Sequence, residues 1–173
     1  MSAEGLMKGH ILITGGTGTI GMALSRLLAD HGYRIRHLSR TTDKDAEFRT
    51  FKWSPSAGKM DIAALDQVDH IIHLAGAGVG DKRWTDSRKK IILDSRIETT
   101  NLILKHVKEE NLRLKSFISA SGISYYGSRT TEHIYKETDS AGTDFLADVG
   151  GVALGMAMSK AFVRLSPTIA DQQ

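Results

Sequence analysis

The first forty residues alternate between apolar runs and a segment with helical spacing. Residues 10–14 are apolar and β-branched, which predicts a buried parallel strand. Over residues 19–31 the apolar positions recur every three or four residues, which predicts a helix that ends at Gly32. Residues 34–39 alternate between polar and apolar side chains, as a second strand does. The pattern therefore predicts a strand–helix–strand unit.

The same alternation continues downstream. Further strands are predicted at 48–53, 69–74 and 116–121, with a short helix at 62–65 and a long helix at 85–110. On the long helix, a stripe of five residues is expected to face the sheet: Leu93, Ile97, Thr100, Leu104 and Val107. Alternating strands and helices predict an α/β fold, a Rossmann-like doubly wound parallel sheet with helices on both faces.

A glycine-rich turn, TGGTGTIG, joins the first predicted strand to the first predicted helix. Gly15 allows a tight turn, Gly18 lets backbone approach a diphosphate, and Gly21 lets the helix pack close to the sheet. The diphosphate would face the free N–H groups at the start of the helix. The predicted cofactor contacts here are Gly15, Thr17, Gly18, Thr19, Ile20 and Gly21. The alternative is an ordinary turn between a strand and a helix.

The end of the second predicted strand bears on which dinucleotide binds. An NAD site usually has Asp or Glu there, to bind the ribose 2′-hydroxyl. This chain has Ser39 and Arg40 instead, and no carboxylate before Asp43. Because a guanidinium forms paired hydrogen bonds with phosphate, these residues favour NADP(H). The alternative is that Arg40 is a solvated loop residue and that NAD(H) binds as well.

The other expected ligand contacts follow from topology, because ligands of open α/β sheets lie beyond the carboxyl ends of the strands. Leu74, Ala75 and Gly76 end one predicted strand and are expected along the adenine side and the ribose. Ser119, Ala120 and Ser121 end the next predicted strand and are expected near the nicotinamide.

Composition narrows the function classes. A chain of 173 residues suits one well-buried domain. The absence of cysteine excludes disulfides and thiolate chemistry, and it fits a cytoplasmic protein. The net charge of +3 comes from interspersed charges without a basic block, so we expect no nucleic-acid partner. No apolar run approaches the ~18 residues that span a bilayer, so we expect no membrane partner. The histidines lack paired ligand spacing, so no metal site is predicted.

Four segments together resemble a known family. They are TGGTGTIG, HLAGAGVGDKRWT at 73–85, SRIETTNLIL at 95–104 and SASGISYYG at 119–127. With them the chain resembles the atypical and extended short-chain dehydrogenase/reductase superfamily, and more closely the NAD-dependent epimerase/dehydratase family. The resemblance implies a Rossmann fold and an NADP(H)-type cofactor, with a small-molecule substrate that is mostly undefined in the family.

The resemblance ends at Val149, which implies a division of the chain. We expect an N-terminal extension at 1–9, a dinucleotide-binding domain at 10–149 and an atypical tail at 150–173, with a loose helix at 152–165. Members of the family continue into a substrate-binding C-terminal part, so a chain with this tail would lack most of it. A truncation, a frameshift and a shortened natural variant all remain open.

The catalytic residues of the superfamily are incomplete in this sequence. The resemblance implies a Tyr with a Lys four residues later, and the sequence contains no such pair; Phe145 stands near the expected Tyr. Ser121 resembles the active-site Ser, and Tyr125 or Tyr126 is an alternative acid, unless both tyrosines only pack beside the sheet. The function expected is an NADP(H)-binding oxidoreductase- or epimerase-like protein. The alternatives are a non-catalytic NADP(H) sensor or docking module, and an inactive fragment whose exposed sheet edge leaves self-association open.

Overall fold

The structure, a computed structural model, describes residues 7–136 and 138–158. Its strands are β1 (Gly9–Thr14), β2 (Tyr33–Ser39), β3 (Arg49–Ser54), β4 (Lys59–Met60), β5 (His70–His73) and β6 (Ser116–Ser119). Its α-helices are α1 (Thr19–Asp30), α2 (Asp86–Glu109) and α3 (Phe145–Met158). Short 3-10 turns lie at Pro55–Ala57, Ile62–Leu65 and Ile123–Tyr126.

The six strands form one sheet in the order β4-β3-β2-β1-β5-β6. All neighbouring strands are parallel except β3 and β4, which form a short antiparallel pair. From β1 the chain builds outward through β2 and β3, and then returns to the other side of β1 to form β5. The strand order therefore reverses between β1 and β5, and a reversal of this kind opens a crevice at the carboxyl ends of the strands.

The core has two layers because successive side chains of a strand point to opposite faces. Ile11, Ile13 and Ile72 pack on one face, with Leu24 and Leu28 of α1 against them. Leu12, Leu38 and Ile71 pack on the other, with Leu102 and Ile103 of α2. Helices thus cover both faces, which confirms the predicted Rossmann-like fold.

The stripe predicted on α2 is confirmed at Thr100 and at Val107, which packs against the core, and is wrong at Ile97. Ile97 is 36% exposed, whereas Ile92 and Ile103 are fully buried. Thr99 is also buried, since its hydroxyl lies against His73 of β5. Polar residues that hydrogen-bond to the edge of the sheet set the rotation of this helix. A prediction based only on the spacing of apolar residues does not take them into account. Thr100 is buried as expected.

Helix α3 runs through the boundary expected after Val149. Asp144 starts it, because its carboxylate accepts a hydrogen bond from the N–H of Ala147 at 2.9 Å. The helix expected to begin at residue 152 therefore begins at Phe145, and Gly150 packs within it against the 3-10 turn at Ile123–Tyr126. Residues 159–173, like residues 1–6, lie outside the described part of the chain.

Within the described ranges, no helix combines the length and the apolar character needed to cross a membrane.

Candidate functional site

The glycine loop between β1 and α1 is built from close backbone contacts. Gly15 has a φ of +71°, a left-handed conformation that favours glycine, and a Cβ on it would lie 3.1 Å from the N atom of Ala75. A Cβ on Gly21 would collide with the carbonyl oxygen of Gly15 and the backbone of Gly16. Packing within the protein therefore explains two of the three glycines.

Gly18 differs from both. Its φ of −82° and ψ of 172° are open to any residue. A Cβ on it would meet only the Gly15 carbonyl oxygen, at an ordinary 3.4 Å. Neither backbone conformation nor internal packing requires glycine here. Among the described residues, the space in front of Gly18 is therefore open.

The start of α1 is open to an anion. Gly18 is the N-cap, no side chain caps the helix and its first turn contains no acidic residue. The start of α2 is different, because the Thr85 side chain accepts a hydrogen bond from the Arg88 N–H and Asp86 lies in the first turn. The uncapped N–H groups and the positive end of the α1 dipole suit a phosphate. Thr17, Thr19 and Ile20 are exposed around this end.

A buried pair supports the loop from below. Ser25 of α1 donates its hydroxyl proton to the Gly21 carbonyl oxygen at 2.7 Å. The Ser25 hydroxyl oxygen also lies 2.7 Å from Nε2 of His37. Because the hydroxyl proton is already donated to Gly21, the imidazole N–H is the donor in the hydrogen bond between Ser25 and His37. The His37 ring also occupies the space where a Cβ on Gly16 would lie. Burial lowers the pKa of His37. Sequence reasoning missed both residues, since nothing local in the sequence links them.

A second buried chain of hydrogen bonds joins the ends of β1 and β5 to α2. The Thr14 hydroxyl lies 2.7 Å from Nδ1 of His73 and accepts from the Ala75 N–H at 3.2 Å. The Thr99 hydroxyl lies 3.2 Å from Nε2 of His73 and donates to the Ser95 carbonyl oxygen at 2.6 Å. These partners are satisfied together when His73 is neutral with its proton on Nε2. Burial, with a smaller effect of nearby Arg96, lowers the pKa of His73 to about 4.

Arg96 of α2 lies over the loop that follows β5. Its Nη1 donates to the carbonyl oxygens of Ala77 at 3.2 Å and Ile92 at 2.9 Å. A Cβ on Gly76 would lie 3.1 Å from the Arg96 guanidinium carbon. The glycine at this position therefore makes room for the guanidinium. Ser95 fixes the same loop by accepting the Ala77 N–H at 3.0 Å.

The end of β2 presents a cation without an acid beside it. Arg40 is exposed, and Ser39 accepts a long hydrogen bond of 3.4 Å from the Thr41 N–H. Two of the three acids of the following loop have partners elsewhere: Asp43 accepts from the backbone N–H of Asp45, and Glu47 forms a 2.8 Å ion pair with Arg26.

A cavity of about 230 Å³ lies at the carboxyl ends of β5 and β6. Five of the residues expected along the ligand line it: Leu74, Ala75, Ser119, Ala120 and Ser121. Its other lining residues are His73, Val79, Arg96, Thr100, Gly122, Ser124, Val149 and Gly150.

The two candidate catalytic residues have different surroundings. Ser121 lines the cavity, and its hydroxyl donates to the Gly150 carbonyl oxygen of α3 at 3.1 Å. Tyr125 lies beside the cavity without lining it, with its ring edge-on to Tyr126 at a centroid distance of 5.0 Å. Tyr126 in turn stacks on Tyr135 at 4.5 Å. The structure thus brings Ser121, but not Tyr125, to the wall of the cavity.

Comparison with known proteins gives one consistent family. Residues 11–147 match the NAD dependent epimerase/dehydratase family. An epimerase family protein of Mycobacterium leprae is 35% identical over 147 residues, which are 85% of this chain and 46% of that protein. Another, from Bacillus subtilis, is 30% identical over 80% of this chain and 46% of that protein. This chain spans about half the length of the curated relatives it matches.

Solved structures agree. The human epimerase family protein SDR39U1, whose structure contains NADPH, has a TM-score of 0.70 and 26% identity, and the match covers 86% of this chain and 48% of the human chain. A nucleoside-diphosphate sugar epimerase from Corynebacterium glutamicum has a TM-score of 0.69 and 30% identity, over 86% of this chain and 30% of that one.

Proposed function

The chain belongs to the NAD dependent epimerase/dehydratase family, and we propose that its described residues form the NADP(H)-binding part of an oxidoreductase- or epimerase-like protein. The observation that carries the proposal is Gly18, which neither the backbone nor the packing requires. A dinucleotide diphosphate does require it, because the phosphate oxygens must approach the N–H groups of α1 without a side chain between them. The human relative with bound NADPH supports the same cofactor class.

The residues expected to hold the cofactor lie along one edge of the sheet. The diphosphate would lie against Gly15, Gly18 and the first turn of α1, including Thr17, Thr19, Ile20 and Gly21. Arg40, with Ser39, would bind a ribose 2′-phosphate at the end of β2, where this chain has no Asp or Glu to bind the 2′-hydroxyl of NAD(H). Leu74, Ala75, Gly76 and Ser119 would continue the path across β5 to β6.

The cofactor supplies hydride transfer when bound, and the chain supplies its binding and orientation. His73 stays neutral at the end of β5 and holds Thr14 and Thr99 in place, which fixes the crevice wall. Ser121 is the candidate that lines the cavity, although its proton is donated to Gly150 and its oxygen is left to accept. Tyr125 is the weaker candidate for an acid because it lies outside the cavity wall.

A second candidate function is a non-catalytic NADP(H) sensor or docking module. Two observations favour it: the sequence contains no Tyr-x-x-x-Lys pair, and α3 engages the Ser121 hydroxyl. Both functions need the same cofactor site, so they differ only in turnover.

Titration of the full chain with NADPH and NADH, followed by nicotinamide fluorescence, tests the shared part of both functions. We expect saturable binding at one site per chain, with NADPH the tighter ligand. A chain that binds neither dinucleotide at 1:1 stoichiometry would overturn the proposal. A screen of carbonyl substrates with the NADPH-loaded chain then separates the enzyme from the sensor.

A further inference from the structure

Arg96 has a charge that no carboxylate neutralises in the described part of the chain. The guanidinium is half-buried, and only Nη1 is occupied, by the two carbonyl oxygens of Ala77 and Ile92. None of the ion pairs among the described residues includes it. Its remaining N–H groups are therefore open to a ligand. A partly desolvated guanidinium without a counter-ion attracts an anion strongly.

The cavity beside Arg96 is suited to that anion. No Asp or Glu is among the residues that line it, and His73 on its wall is neutral. Ser119 and Ser124 line the same cavity, and no hydrogen bond within the described ranges uses their hydroxyls. Ser119 is paired with His73 in the register of β5 and β6, so both side chains point to the face that α2 covers. One cation and two free hydroxyls thus line a cavity without a negative charge.

The phosphates of the cofactor are not the natural occupants of this cavity. None of the residues of the glycine loop from Gly15 to Gly21 lines it. The candidate for a 2′-phosphate, Arg40, directly follows β2, which lies on the far side of β1 from β5 and β6. The diphosphate and the 2′-phosphate therefore have their proposed partners elsewhere, and Arg96 is left for another ligand.

We propose that Arg96, together with the hydroxyl of Ser124, binds an oxyanion group of the substrate, a carboxylate or a phosphate, beside Ser119 at the end of the cofactor path. This inference rests on the proposed function and narrows its substrate class to small organic anions. Uncharged aldehydes, ketones and sugars would leave the half-buried guanidinium without a counter-ion, which disfavours them.

Anion binding to the NADPH-saturated full chain tests this. Sodium phosphate and sodium acetate are titrated separately by calorimetry, with sodium chloride holding the ionic strength constant. We expect saturable binding of at least one probe, and the preferred probe tells phosphate from carboxylate. Arg96→Gln should weaken that binding by about tenfold or more. Arg96→Lys should weaken it by a smaller factor, since it keeps the charge and loses the fork of N–H groups.

Ser95→Ala is the matched control, because Ser95 holds the same residue, Ala77, without a charge. It should bind the probe within about twofold of the unaltered chain. Equal losses in Arg96→Gln and Ser95→Ala would show that Arg96 only anchors the loop, and would overturn the inference. Failure of both anions to bind the loaded chain would overturn it as well.

NADPH affinity, measured on the same samples, separates the two proposals. We expect Arg96→Gln to bind NADPH as the unaltered chain does. If it does not, and phosphate competes with NADPH, the guanidinium serves the cofactor and the inference is wrong while the proposed function stands. If the unaltered chain does not bind NADPH at all, the proposed function fails first, and the substrate inference that rests on it fails with it.

Discussion

Ser25 and His37 meet through a 2.7 Å hydrogen bond directly below the glycine loop, although they belong to different elements. The same Ser25 hydroxyl donates to Gly21. Helix α1 and strand β2 are therefore coupled through one oxygen atom, and the His37 ring packs against Gly16 of the loop. The position of the uncapped end of α1 depends on this buried contact as well as on the glycines.

Ser25→Ala should destabilise the chain by about 1–3 kcal/mol, because it leaves the buried Nε2–H of His37 without an acceptor. Urea unfolding measures the change, with Ser56→Ala as the control, since Ser56 is an exposed serine. We also expect weaker NADPH binding in Ser25→Ala alone. Indistinguishable midpoints for the two variants would contradict the role given to this pair.

The neutral state of His73 predicts a pH dependence. Its pKa is lowered from 6.5 to about 4 in the folded chain. The unfolded chain therefore binds more protons between these values, and stability falls as pH falls through that window. From pH 7 to pH 5, His73 should contribute a loss of roughly 2 kcal/mol. The lowered pKa values of His37 and His70 act in the same direction.

His73→Gln should be less stable than the unaltered chain at pH 7 and should lose less stability on acidification to pH 5. Free energies of unfolding at the two pH values give the comparison. Equal losses in both proteins would mean that His73 is not the titrating group.

Arg40→Gln should weaken NADPH binding by about tenfold and leave NADH binding unchanged, because only NADPH has the 2′-phosphate. Arg34→Gln is the control, since Arg34 is exposed near the opposite end of the same strand. A parallel loss for both dinucleotides would instead place Arg40 at the shared diphosphate.

The buried face of α2 can be tested by stability alone. Ile92→Ala should cost about 2–5 kcal/mol, because Ile92 is fully buried. Ile97→Ala should cost much less, since Ile97 is 36% exposed. A larger loss of stability in Ile97→Ala than in Ile92→Ala would support the stripe expected from the sequence.

Much of the fold was predictable from the sequence. Apolar runs located the strands of the parallel sheet, and Gly32 marked the end of α1, because these signals are local. The two-residue strand β4 was not predicted, since it pairs with β3 through only two residues on each strand. The rotation of α2 was not predicted correctly, because Thr99 and Arg96 face inward to form hydrogen bonds and not to bury apolar surface.

Part of the candidate site was predictable from the sequence and part was not, for the same reason. The glycine loop was predictable, since a strand, a turn and a helix follow one another in sequence. The partnerships of Ser25 with His37 and of Thr14 with His73 and Thr99 were not, because each joins different elements of the fold. The role of Arg96 could not be predicted for the same reason. Its environment depends on the positions of Gly76 and Ser119, which belong to other elements of the fold.

We propose that Gly18 is glycine because a ligand requires it and not because the fold does. Gly18→Ala tests it most directly, with Gly80→Ala as the control, because a Cβ on Gly80 would meet nothing within 4 Å. Both variants should match or slightly exceed the stability of the unaltered chain, since replacing glycine restricts the unfolded state. NADPH titration should then show a loss of about tenfold or more for Gly18→Ala and none for Gly80→Ala. Equal NADPH affinity in the two variants, with both folded, would contradict the account.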